Sequence, residues 1–137
     1  MKAPRKITFL SEPSRLAGVR ESVRDFLKGT GFREEEEARI VMAVDEACTN
    51  IIRHASGSSL KPVRLEMKRL RDRVRFVLRD YGKPFEPTTL ASRDLKIFQP
   101  GGYGVFIIRE VFDVVEYSPQ ARGTRLKLEK LLPAGQS

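Results

Sequence analysis

The sequence predicts an α/β (α+β) two-layer sandwich, with helices on one face of a mostly antiparallel sheet. Three observations carry this. Residues 13–28 and 33–55 place apolar side chains at helical spacing. Residues 63–67 and 74–78 alternate apolar and charged side chains, the pattern of strands with one face packed and one face wet. The elements then follow in the order β-α-α-β-β-loop-α-β-β, with no internal repeat and no low-complexity tract.

A short strand opens the chain at residues 7–10 (ITFL). Pro13 can start a helix running to about Lys28, because proline suits the first helical turn. Leu16, Val19, Val23, Phe26 and Leu27 form its apolar stripe, and Gly29 and Gly31 end it. Arg20, Arg24 and Lys28 recur every four residues away from that stripe, a candidate docking face for an acidic partner. The second helix begins near Arg33. Glu34, Glu35, Glu36 and Glu37 crowd its first turn, where the helix dipole favours negative charge. Ile40, Val41, Val44, Ala47, Cys48, Ile51 and Ile52 give it a broad buried face. The two alternating strands are joined by a hairpin turn at Arg71–Asp72. Residues 82–102 hold three prolines and little periodicity and form a long loop. A helix over about 103–112 and strands over 113–117 and 124–131 complete the chain.

The length of 137 residues suits one domain, 1–137. Apolar residues at 40% supply a core, and charged residues at 32% with a mean hydropathy of −0.36 describe a soluble surface. No apolar run approaches a membrane span, and residues 7–10 are too short for a signal-peptide core. The single cysteine, Cys48, excludes an internal disulfide and a cysteine metal cluster, so a cytoplasmic setting is expected. The net charge of +8 calls for polyanionic or acidic partners, or for basic residues dispersed in solvent.

Four segments carry chemistry. In Val44-Asp45-Glu46-Ala47-Cys48-Thr49-Asn50, Glu46 and Asn50 lie one turn apart on one helix face, and Thr49 and Arg53 extend a polar stripe opposite Val44, Cys48 and Ile51. A carboxylate beside a carboxamide suits a general base and a magnesium ligand; an ordinary solvated helix face has the same pattern. Asp80-Tyr81-Gly82-Lys83-Pro84-Phe85 ends a strand. Its aspartate can accept from an exocyclic amine, and Gly82 lets a flat ring approach the backbone; a plain turn also favours Asp and Gly. Gly101-Gly102-Tyr103-Gly104-Val105 opens a helix with free backbone N–H groups, a phosphate cradle or a lid hinge. It is neither a Walker loop nor a dinucleotide fingerprint. Gly123-Thr124 opens the last strand with a hydroxyl placed to meet a base or simply to start a strand.

Taken in this order, the four segments resemble the N box and the three glycine boxes of the Bergerat-fold (GHKL) ATPases, a histidine-kinase-like ATP-binding fold. The resemblance covers about Arg33 to Lys130. Glu46-Ala47-Cys48-Thr49-Asn50 followed by His54-Ala55, and Gly101-Gly102-Tyr103-Gly104-Val105-Phe106-Ile107-Ile108 followed by Asp113, are most similar to the anti-sigma-factor serine kinases of the RsbW and SpoIIAB kind. Two positions depart from the pattern: Asp45, where a small serine-like residue is expected, and Ser56-Gly57, where an aromatic usually follows His-Ala.

The resemblance implies an ATP/ADP and Mg²⁺ site in a serine/threonine-protein kinase. Glu46 is then the base toward the attacking hydroxyl, and Asn50 the Mg²⁺ ligand. Asp80 reads adenine with Gly82 and Thr124, while Arg53 and Phe85 contribute to the nucleotide site. Gly101, Gly102, Tyr103, Gly104 and Val105 hold phosphates, under an ATP lid at 86–100. It further implies a STAS-type anti-anti-sigma protein and a sigma factor as partners, and a homodimer. A rival reading is a non-catalytic, nucleotide-gated binding module. Another is a nucleic-acid binder using Arg64, Lys68, Arg73, Arg75 and Arg79, against which the lack of interleaved aromatics argues.

Overall fold

A computed structural model describes residues 3–55, 60–82 and 103–134, with the backbone alone described at 54–55 and 103–106. Its elements are β1 (Arg5–Leu10), a 3-10 turn (Pro13–Arg15), α1 (Leu16–Leu27), α2 (Glu34–Ala55), β2 (Pro62–Arg69), β3 (Arg73–Asp80), α3 (Tyr103–Val111), β4 (Val114–Pro119) and β5 (Thr124–Leu131). The strands form one sheet in the order β1-β2-β3-β5-β4, every pair antiparallel. The expected sandwich is the observed fold.

The period-2 pattern sets which face is covered. Val63, Leu65 and Met67 of β2, Val74, Phe76 and Leu78 of β3, and Leu126 and Leu128 of β5 are buried. They share one core with Val23, Leu27, Ile40, Val44, Cys48, Ile108 and Val111 of the helices. Phe76 sits at its centre, edge-on to Phe26 at 5.6 Å and to Phe112 at 5.8 Å. The alternate strand residues face away from the helices.

Local chemistry sets the element ends. Pro13 opens a 3-10 turn at 13–15, and the α-helix proper follows from Leu16. Thr30 donates its hydroxyl to the Leu27 carbonyl at 2.5 Å, and Gly29 and Gly31 take φ of 83° and 90° to turn the chain. The Arg33 backbone N–H donates to Glu36 Oε1 at 3.2 Å, so one of the four glutamates serves as a cap as well as a dipole partner. Lys130 closes the far end of α3 by donating Nζ to the Val111 carbonyl at 3.1 Å.

One carboxylate on the uncovered face is itself buried. Glu129 accepts from Arg73 Nη1 at 2.9 Å and from Arg75 Nε at 2.5 Å. Burial pushes its carboxyl up, but the hydrogen bonds from Arg75 and Arg73 outweigh that and hold it below the usual carboxylate range. A depressed carboxyl stabilises the fold above its unfolded pKa, and that stability is lost as pH falls through the folded value. Glu129→Gln should therefore cost about 1–2 kcal/mol near neutrality. The gap to wild type should close as pH drops below the ordinary glutamate value of 4.5. Urea unfolding of both proteins across that range checks this, and a gap independent of pH would refute it.

Candidate functional site

Asp80 is the last residue of β3, where the sheet stops and the chain can turn toward a ligand. Its inward parity, the same as Val74, Phe76 and Leu78, leaves it 4% exposed. The Gly82 N–H donates to Asp80 Oδ1 at 3.1 Å, which fixes the carboxylate across the turn. Gly82 thus has a visible task beside the steric one expected of it.

The neighbouring strand start completes this end of the sheet. β3 and β5 pair with Arg79 opposite Arg125, which brings Thr124 to the level of Asp80. Gly123 has φ of 71°, and a Cβ there would run into the Asp80 carbonyl oxygen and Oδ1 and lie 2.7 Å from its carbonyl carbon. Only glycine therefore fits between the turn and the aspartate. The sequence marked Gly123 as a turn residue; its contact with Asp80 had no signal beyond its place before Thr124. On the opposite parity, Arg79 braces the same turn. Its Nη1 donates to the carbonyls of Asp80 and of Arg122, the latter at 2.8 Å, and its guanidinium lies 4.3 Å from the Tyr81 ring.

The second group sits on α2. Glu46 is half-buried, while Asn50, one turn on, is 1% exposed. The polar stripe expected opposite Val44, Cys48 and Ile51 turns inward at Asn50. Thr49 donates its hydroxyl to the Asp45 carbonyl at 2.8 Å, and Arg53 is exposed. The unusual Asp45 has a partner on α1, accepting from Arg20 Nη1 at 2.9 Å. That pair commits Arg20 of the proposed α1 docking stripe to the fold, leaving Arg24 and Lys28 exposed. Cys48, on the core side of the helix, is fully buried; burial and then Asp45 push its thiol far above the ordinary range, so it stays protonated and inert.

Two buried polar atoms in these groups have no hydrogen-bond partner among the described residues: Asn50 Nδ2 and Thr124 Oγ1. Buried polar atoms are nearly always satisfied, so two orphans mark places where a polar ligand completes the structure. The Asn50 Nδ2–H is a donor suited to a phosphate oxygen, the oxygen of the same carboxamide is of the type that ligates Mg²⁺, and a hydroxyl beside a fixed carboxylate is suited to the polar edge of a base. The residues present fit a magnesium nucleotide. Phe85, Gly101 and Gly102, the lid at 86–100 and Ser56-Gly57 lie outside the described residues, as do the side chains of His54, Tyr103 and Val105. The backbone of α3 does begin at Tyr103–Gly104, the helix start expected after the glycines.

Comparison with known proteins gives the family and the fold. The family model of the histidine kinase-like ATPase domain matches residues 9–130. The serine-protein kinase RsbW of Halalkalibacterium halodurans is 27% identical over 124 residues, covering 83% of this chain and 74% of the relative. That of Bacillus cereus is 25% identical over 124 residues, covering 85% and 74%. Among solved structures, the RsbU and RsbW domains of Rv1364c from Mycobacterium tuberculosis superpose with a TM-score of 0.66 at 18% identity. That match covers 98% of this chain and 34% of the larger one. The histidine kinase domain of the Erythrobacter litoralis EL346 blue-light activated histidine kinase gives 0.60 at 17% identity, covering 87% and 60%. At these identities the structural matches show the fold.

Proposed function

We propose that this chain, which belongs to the histidine kinase-like ATPase domain family, is an ATP- and Mg²⁺-dependent protein serine kinase of the anti-sigma type. The observation that carries the reading is the pair of buried polar atoms without a hydrogen-bond partner among the described residues, Asn50 Nδ2 and Thr124 Oγ1, the latter beside a fixed Asp80. The RsbW relatives, each named a serine-protein kinase, support it. By the same likeness its partners are a STAS-type anti-anti-sigma protein, which it phosphorylates, and a sigma factor, which it binds. It acts as a single domain over 1–137, as a cytoplasmic homodimer.

In this reading the Asp80 carboxylate accepts from the adenine amino group, with the Thr124 hydroxyl beside it and Gly123 keeping the approach clear. Asn50 would hold Mg²⁺ through its carboxamide oxygen, and the ion would neutralise phosphate charge. The backbone amides at the start of α3 face the phosphates, with the helix dipole favouring their charge. Glu46 takes the proton of the attacking serine hydroxyl. The serine oxygen forms its bond to the γ-phosphorus as the bond to the bridging oxygen breaks, and ADP departs. Arg53, Gly82, Phe85, Gly101, Gly102, Tyr103, Gly104 and Val105 complete the nucleotide site.

The reading requires discrimination between purines. Guanine carries a carbonyl where adenine carries its amine, so Asp80 would face an acceptor and the pairing would be lost. Calorimetric titration with Mg²⁺ should show ATP bound at least about tenfold more tightly than GTP, the effect of one buried hydrogen bond to a charged group. Equal affinities would remove the adenine role from Asp80.

A further inference from the structure

The positive charge of this protein is segregated by layer. Among the described residues, the three α-helices carry five basic and nine acidic residues, a net −4, whereas the five strands carry eleven basic and four acidic, a net +7. Of the +8 of the chain, the strands carry +7, these helices −4 and the remaining residues +5, so between the two packed layers the positive excess lies on the sheet.

Within the uncovered face of the sheet the excess is concentrated further. One cross-strand row is balanced: Lys6 lies 3.9 Å from Glu66, and Lys127 lies 3.5 Å from Glu116. A second is anchored by the buried Glu129 under Arg73 and Arg75. The third is not balanced. Arg64, Arg79 and Arg125 stand directly opposite one another on β2, β3 and β5, flanked by Thr8 and Ser118. Like charges in direct register oppose strand pairing, so this row is a cost to the isolated fold. The central arginine is diverted onto the Asp80 and Arg122 carbonyls, and Arg64 and Arg125 have no ionic partner among the described residues.

We propose that this uncovered face, centred on the Arg64–Arg79–Arg125 row, docks an acidic protein surface, separate from the nucleotide groups on the covered side. An anionic partner laid across the row converts repulsion into attraction, and Arg73, Arg75 and Arg79 are already held in place, so little ordering is needed on binding. Apolar contacts are also available: Leu10 and Leu131, 40% and 49% exposed, have the same outward parity at the two ends of the face. Such side chains suit a protein interface with an apolar part and charged surroundings. A nucleic acid fits less well. No outward position within the strands carries an aromatic ring for base stacking, the Tyr81 ring beside them is taken up by the Arg79 guanidinium, and Glu66 and Glu116 would repel phosphates.

The test uses the whole chain and poly-L-glutamate as the acidic polypeptide. The double reversal Arg64→Glu/Arg125→Glu is compared with Arg24→Glu/Lys28→Glu, which changes net charge equally on the helical side. Both new glutamates of the first variant would flank Arg79, so the fold should survive, and ATP affinity serves as the control. The face variant should bind polyglutamate about tenfold more weakly with a shallower salt dependence, and the helix variant within about twofold of wild type. Equal losses in the two variants, or none in the face variant, would overturn the proposal. So would a larger loss of duplex DNA binding than of polyglutamate binding in the face variant, which assigns the face to nucleic acid. Sedimentation in which the face reversals dissolve a self-associated species would assign it to a second copy, again against the proposal.

Discussion

Glu46→Gln should bind Mg-ATP within a few-fold of wild type while transferring phosphate to a STAS-type protein about 10²–10⁴ times more slowly, the usual contribution of a positioned base. The substitution keeps the size of the side chain and its hydrogen-bonding reach but leaves no carboxylate to accept the serine proton. Glu46 is half-buried on α2, one turn before Asn50, and it is not part of the hydrophobic core. Folding should therefore be little affected, and equal melting temperatures would establish that. The measurement pairs a phosphotransfer assay with an ATP titration on the same preparations. Transfer at the wild-type rate would remove the base role from Glu46 and leave the kinase intact. Wild type that binds Mg-ATP tightly but transfers nothing to its STAS-type partner would overturn the kinase and leave a nucleotide-gated binding module.

The fold was legible because its determinants are local or periodic. The alternation at 63–67 and 74–78 matches the burial of β2 and β3 residue by residue, and the glycines at 29 and 31 stop α1 where expected. The periodicity of α2 told its core face from its polar face but not how far the polar stripe stays wet. Asn50 is a polar residue at a polar position in sequence and a buried one in space, because burial there depends on what packs over the helix from distant parts of the chain. The same limit hid the Gly123 contact with Asp80 and the pairing of Arg20 with Asp45, each made across a separation that no spacing rule reads. The sequence displayed the basic charge and the arginine-rich strands. It did not show that three of those arginines stand in one row, since strand register is decided by the pairing.

Asn50→Ala should separate stability from nucleotide affinity. A side chain 1% exposed would ordinarily be costly to truncate, because the cavity left behind loses packing on every side. Here the truncation also removes Nδ2, a buried donor without a partner among the described residues, whose desolvation costs the nucleotide-free protein about 1–3 kcal/mol. The two effects oppose each other, so the variant without nucleotide should unfold within about 1 kcal/mol of wild type. Mg-ATP changes the comparison. At a hundredfold excess over its dissociation constant a ligand stabilises by about 2.7 kcal/mol, and a protein that has lost a metal-coordinating carboxamide should keep only a small part of that. Denaturant titrations of both proteins, with and without Mg-ATP, give all four stabilities. A nucleotide-dependent increase equal to that of wild type would show that Asn50 holds neither metal nor phosphate. A fall of more than about 3 kcal/mol without nucleotide would show that the carboxamide is chiefly a structural core group. A protein of unchanged intrinsic stability that no longer responds to Mg-ATP is the expected result, because an orphaned amide is tolerated in the fold for the sake of the ligand that completes it.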